Sequence, residues 1–125
     1  MTNPDQAKGT RAEAGFTPLA DVAALDAAIA RSQEAPVLIF LNDPHCPISR
    51  HAWKEMQRLP QESLTDAYLV DVSRQHELKQ AVAAKTAVRH ESPQAIVLRQ
   101  GKAVWDASHF AITAKEVSNN LAANS

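Results

Sequence analysis

The spacing of apolar positions changes several times along this chain, and each change marks an element. Val37-Leu38-Ile39-Phe40-Leu41 is an unbroken apolar run between Pro36 and Asn42-Asp43-Pro44, the pattern of a strand buried on both faces in the middle of a sheet. Upstream, Leu19, Val22, Leu25 and Ile29 recur at helical spacing. With Thr17 as N-cap and Pro18 as first helical residue, they predict an amphipathic helix ending near Ser32. Downstream, Pro47 suits a first helical position. Ile48, Ala52, Met56 and Leu59 then line a core face, while Cys46, Ser49, Arg50 and Trp53 share a second face left free for chemistry. Pro60 stops that helix. Ala67 to Val72 reads as a second strand, and Ser73 to about Lys85 as a helix with Leu78, Ala81 and Val82 facing inward. Ala95-Ile96-Val97-Leu98 and Ala103-Val104-Trp105 are joined by Arg99-Gln100-Gly101-Lys102, short enough to force an antiparallel hairpin. Thr113 and Glu116 form a capping-box pattern opening a last helix through Val117 and Leu121.

The order is therefore helix, strand, helix, strand, helix, strand, strand, helix. A strand-helix-strand crossover is parallel and right-handed, so two parallel strands are followed by an antiparallel pair. The expectation is an α/β fold with a central four-stranded mixed sheet flanked by helices. Met1 to Gly15 is polar without periodic apolar positions and reads as a flexible tail before one domain over residues 16–125. A length of 125 residues with 45% hydrophobic content supports one core without disulfides. Thirteen basic and fourteen acidic side chains give a net charge of −1 without a basic cluster, which argues against nucleic acid or an anionic membrane as partner. No apolar run approaches the roughly 20 residues of a membrane span and no secretory signal precedes the domain, so a cytosolic protein is expected. The five histidines are too scattered for metal-ligand spacing, and no glycine-rich phosphate loop is present.

Cys46 is the only cysteine. At a helix N-terminus, free backbone N–H groups and the positive end of the helix favour a thiolate, whereas a lone cysteine elsewhere is often a buried small hydrophobe. An internal disulfide is impossible, so any disulfide joins Cys46 to another molecule. Ser49, one turn on, reads either as a hydroxyl donor to the thiolate or as a solvated serine. His45, Arg50, His51 and Lys54 read either as positive charge that lowers the thiol pKa and attracts carboxylates, with Asp43 opposing them, or as simply solvated side chains. Arg89 reads equally as a cation for a carboxylate and as a surface ion pair. His109 reads as structural or as a distant base, His76 as surface, and Trp53 and Trp105 as core or wall.

A cysteine at the top of the first sheet strand and Ser92-Pro93 before the third resemble the thioredoxin fold. More particularly, Val88-Arg89-His90-Glu91-Ser92-Pro93-Gln94, Gly101-Lys102-Ala103-Val104, Asp106-Ala107-Ser108-His109 with Ile112, and Cys46-Pro47-Ile48-Ser49 resemble the monothiol bacilliredoxins, over about Phe16 to Leu121. The sequence departs at Asn42-Asp43-Pro44-His45, where a Lys-His-Ser-Thr-like approach is the family pattern. The resemblance implies a thiol–disulfide oxidoreductase with Cys46 as nucleophile and Ser49 where dithiol relatives carry a second cysteine. It also implies a cis Ser92-Pro93 bond facing the cysteine and docking substrate. Arg89 and His90 are then placed to meet the malate carboxylates of bacillithiol; His45 and Arg50 are read toward the substrate from their own charge beside the cysteine and not from the resemblance. No tightly bound cofactor is implied, only bacillithiol as co-substrate and S-thiolated proteins as clients. Two alternatives are a monothiol glutaredoxin-like protein that uses glutathione or an iron–sulfur cluster shared between two subunits, and a thioredoxin-like interaction module without catalysis. Cys-Pro-Ile-Ser in place of Cys-Gly-Phe-Ser, and the lack of a Gly-Gly pair after the last strand, argue against the first.

Overall fold

A computed structural model describes residues 13–125. The predicted tail therefore lies outside the described residues up to position 12. Glu13, Ala14 and Gly15, assigned to it as well, form a turn closed by two backbone hydrogen bonds between Glu13 and Phe16, of 2.6 and 2.8 Å.

The elements are β1 (Thr17–Pro18), α1 (Val22–Arg31), β2 (Val37–Asn42), α2 (Pro47–Gln57), β3 (Ala67–Asp71), α3 (His76–Thr86), β4 (Gln94–Arg99), β5 (Lys102–Ser108) and α4 (Ala114–Ala123). They build a five-stranded sheet in the order β1-β3-β2-β4-β5. β1 and β2 run parallel to β3, and β4 runs antiparallel to both β2 and β5. β2 is the central strand, as its apolar run predicts, and Val37 to Leu41 are all fully buried.

The sheet has one strand more than expected, and the difference lies at Thr17-Pro18. These residues pair with Tyr68 and Leu69 instead of starting a helix, and the Leu19 amide continues the ladder to the Leu69 carbonyl at 2.9 Å. A proline is tolerated there because β1 is an edge strand, where one missing N–H breaks no interior ladder. The helix instead begins at Val22, with Asp21 as N-cap accepting the Ala24 amide at 2.9 Å. α3 also starts later than read, at His76, because the Asp71 carboxylate and the Gln75 side chain turn the chain first. Asp71 accepts the Ser73 amide, and Gln75 accepts the Asp71 amide while donating to the Leu19 carbonyl. Pro60 opens a short 3-10 turn over Gln61–Leu64 after α2 has ended at Gln57.

Alternation along the strands divides the core in two. Phe16, Leu38, Phe40, Ala95 and Val97 pack with Ala52 and Met56 of α2 and with Val117 and Leu121 of α4. Val37, Ile39, Leu41, Ile96 and Leu98 pack on the other face with Leu25 of α1 and with Leu78 and Val82 of α3. Trp53 belongs to the first of these layers. The α2 face predicted to be free is thus half occupied, because Trp53 stacks on Phe40 with ring centroids 5.8 Å apart and Ser49 is fully buried.

The β4–β5 hairpin turns through Gln100 and Gly101, both left-handed at φ of 54° and 77°, the two-residue geometry whose twist matches antiparallel strands. Gly101→Ala is expected to lower stability by about 1 kcal/mol, because the added Cβ needs a left-handed backbone and lies 3.1 Å from the Gln33 side chain. Urea denaturation reads the change directly, and an unchanged midpoint would remove the left-handed requirement.

Candidate active site

The carboxyl ends of β1, β3 and β2 and the amino end of β4 lie along one edge of the sheet, the edge where open α/β sheets bind ligands. β2 leaves it at Asn42 and passes through a turn, in which the His45 amide donates to the Asp43 carboxylate at 2.9 Å and the Cys46 amide to the Asp43 carbonyl at 3.0 Å. Cys46 is the N-cap of α2, in extended conformation, with Pro47 at the first helical position. Its thiol is free and partly exposed.

The thiol is held below its ordinary pKa of 9.0 first by the backbone N–H of Ser49 and then by that of Ile48, which face it from the helix start without closing a capping hydrogen bond to the sulfur. Partial burial opposes this, the Ser49 hydroxyl adds to it, and the Asp43 carboxylate works against it. The helix start is the leading cause, and His45, Arg50, His51 and Lys54 are not among the largest. The side chains of His45 and Arg50 are exposed; the Arg50 amide donates to the Cys46 carbonyl, closing the first helical turn at 3.0 Å. Ser49 is not solvated. Its oxygen accepts the Asp43 amide at 3.3 Å, which leaves its proton free for another acceptor.

Leu41 of β2 is paired with Gln94 of β4, so the residues before Gln94 stand beside the Asn42–Cys46 turn. The Ser92-Pro93 bond is cis and Pro93 is buried. Among the described residues the backbone of Ser92 has no hydrogen-bond partner, and its hydroxyl is buried and unpaired. His109 ties the end of β5 to this segment: its amide donates to the Pro93 carbonyl at 3.1 Å, and its Nε2 lies 3.7 Å from the Glu91 carboxylate. His109 itself is in a left-handed conformation at φ 56°.

Arg89 and His90 line an open cleft of about 580 Å³ with Lys79, Gln80, Ala83 and Ala84 of α3. Burial, and then Lys79, hold His90 below its ordinary pKa, against the pull of Glu91. The imidazole is therefore biased to its neutral form, with Nδ1 buried and unpaired, and the positive charge of this cleft comes from Arg89 and Lys79. Sequence reading missed Lys79; its signal was its place on α3, the helix that leads into the Arg89-His90 segment. It also missed Phe110, which is 65% exposed on a 3-10 turn packed against α2, its ring 5.6 Å from that of His51. Nothing in the periodicity marks that turn.

A partly exposed cysteine capping a helix at the end of the central strand of this mixed sheet, next to the strand that Pro93 leads into, defines a thiol–disulfide oxidoreductase of the thioredoxin fold. Solved structures agree. The chain is similar to a candidate oxidoreductase with a thioredoxin fold, at 27% identity and a TM-score of 0.73 over 82% of this chain and 89% of that one. It is similar in fold to the thioredoxin of Fasciola hepatica, at 20% identity and a TM-score of 0.66 over 86% and 98%. A poplar thioredoxin h mutant matches at 14% identity and a TM-score of 0.69 over 93% and 89%. The model of the family described as monothiol bacilliredoxin BrxC matches residues 17–117. The chain belongs to that family. Among the described residues, no helix is long and apolar enough to cross a membrane.

Proposed function

We propose that this oxidoreductase takes bacillithiol from S-thiolated client proteins, or passes it between them, through Cys46. The observation that carries the reading is the N-cap position of Cys46, where the amides of Ser49 and Ile48 favour the thiolate; the family match supplies the small thiol. In the reaction the Cys46 thiolate attacks the bacillithiol sulfur of a mixed disulfide. The new Cys46–bacillithiol disulfide forms as the old bond breaks, and the client leaves as a thiolate that takes its proton from water. Cys46 is the only cysteine, so a second thiol must clear it.

In this proposal Ser49 donates a hydrogen bond to the thiolate. Ser92, whose backbone is unpaired, and Pro93 receive the extended substrate. Arg89, with Lys79 and neutral His90 beside it, holds the malate carboxylates, and His45 and Arg50 attract anionic substrate from the exposed rim.

Mass spectrometry of the reduced protein tests this after mixing with one client protein carrying bacillithiol and, separately, with the same client carrying glutathione. The bacillithiol mass alone is expected on Cys46. Preferential transfer of glutathione would overturn the substrate assignment in favour of a glutaredoxin-like protein, and transfer of neither would leave a non-catalytic interaction module.

A further inference from the structure

Asp43 is tied into the active-site turn through its backbone and its side chain. Its amide donates to the Ser49 hydroxyl at 3.3 Å, its carbonyl accepts the Cys46 amide at 3.0 Å, and one carboxylate oxygen accepts the His45 amide at 2.9 Å. No ion pair to this carboxylate occurs among the described residues. A fixed, unpaired anion thus sits within the turn that presents the nucleophile.

An anion here is costly for a thiolate, since like charges resist sharing a site. It is favourable for a substrate that brings a cation with its sulfur. We infer that Asp43 is a specificity-determining residue, selecting disulfides that carry an ammonium group two carbons from the sulfur attacked by Cys46. It disfavours disulfides whose nearest charge is negative.

The inference deepens the proposed function and rests on it for the physiological ligand. In bacillithiol the cysteinyl amine is free and protonated beside the thiol, whereas in glutathione the same nitrogen is locked in an amide. The chain then offers two poles, the carboxylate of Asp43 in the turn that carries the cysteine and the cations Arg89 and Lys79 in the cleft between α3 and the segment leading to Ser92. A thiol with an amine near its sulfur and carboxylates at its far end matches that order. The covalent step is unchanged: Cys46 sulfur joins the ammonium-bearing sulfur, the partner sulfur departs with the bonding electrons of the old disulfide, and water protonates it.

The test uses the reduced protein with two small disulfides, cationic cystamine and neutral bis(2-hydroxyethyl) disulfide, at pH 7. Rates of Cys46 modification are followed by mass spectrometry for the wild type and for Asp43→Asn, which keeps a side-chain acceptor for the His45 amide. The ratio of the cystamine rate to the neutral rate cancels any change in thiolate fraction. It is expected to fall by about 3- to 10-fold in Asp43→Asn, the size of one charge pair at about 5 Å in a solvent-exposed site. In the wild type alone, raising salt should reduce the ratio toward the variant's value. A ratio unchanged by both the substitution and salt would overturn the assignment. Because neither probe contains bacillithiol, a failure of bacillithiol transfer would strike the substrate reading and leave this ratio standing. Transfer with an invariant ratio would strike Asp43 alone.

Discussion

Cys46→Ser should abolish transfer of any small thiol onto the protein, because serine cannot form the mixed disulfide and no second cysteine exists to take over. The informative measurement is the pH dependence behind that loss. Alkylation by iodoacetamide follows the thiolate fraction, so its inflection in the folded wild type should lie below the ordinary cysteine value of 9.0. In urea it should return to the ordinary range. Ser49→Ala should move the folded inflection up only slightly, since the backbone N–H groups of Ser49 and Ile48 contribute more than the hydroxyl. Stability must follow the same sign. The folded pKa is depressed, so between it and the unfolded value the unfolded chain holds the proton and the folded chain does not, and stability rises with pH across that window. Below the folded pKa the gain is gone. Thermal melts of wild type and Cys46→Ala should therefore diverge in favour of the wild type as pH rises toward 9.0. Labelling no faster than in urea at neutral pH would refute the thiolate.

The parts of this site that could be read from the sequence are those set by local chemistry. Pro47 after Cys46 is enough to locate a helix start, and the helix start is what acts on the thiol. The apolar run of β2, the hairpin at Gln100-Gly101 and the Thr113 cap, whose side chain accepts the Glu116 amide at 3.1 Å, are local in the same sense. The losses came where a distant partner overrides a local preference. Thr17-Pro18 has the form of a helix start, yet its pairing with Tyr68 and Leu69, some fifty residues on, makes it a strand. Ser49 and Trp53 share a helix face with Cys46, but whether that face meets solvent depends on Phe16 and Phe40, which periodicity within α2 does not report. The charges near Cys46 are a weaker signal than the helix start for a related reason. A cation close in sequence on an exposed helix surface points into water, whereas an amide two or three residues on is fixed by the helix itself.

Phe40→Ala is expected to cost about 3–5 kcal/mol, the usual range for removing a fully buried phenylalanine. That is a large share of the roughly 5–15 kcal/mol that holds a domain of this size folded. Three rings depend on one another at this point: Trp53 stacks on Phe40 at an interplanar angle of 18°, Phe16 meets Phe40 edge-on at 6.4 Å, and Phe16 lies 5.3 Å from Trp53. They join the segment before β1, the central strand and the helix that carries Cys46, so a cavity here has walls from three separate elements and cannot close by moving one of them. Phe40→Leu, which retains most of the apolar volume, should lose far less. Equilibrium urea denaturation measures both, with an unchanged slope confirming that stability and not the unfolded state has altered. The aromatic cluster also seats α2, and the N–H groups of Ile48 and Ser49 lower the thiol pKa only while that helix is held. In the folded fraction of Phe40→Ala the alkylation inflection of Cys46 should therefore move up toward 9.0. A loss below about 1 kcal/mol would mean that Trp53 fills the space. A large loss with an unmoved inflection would separate the core from the thiol and leave the helix start to position it alone.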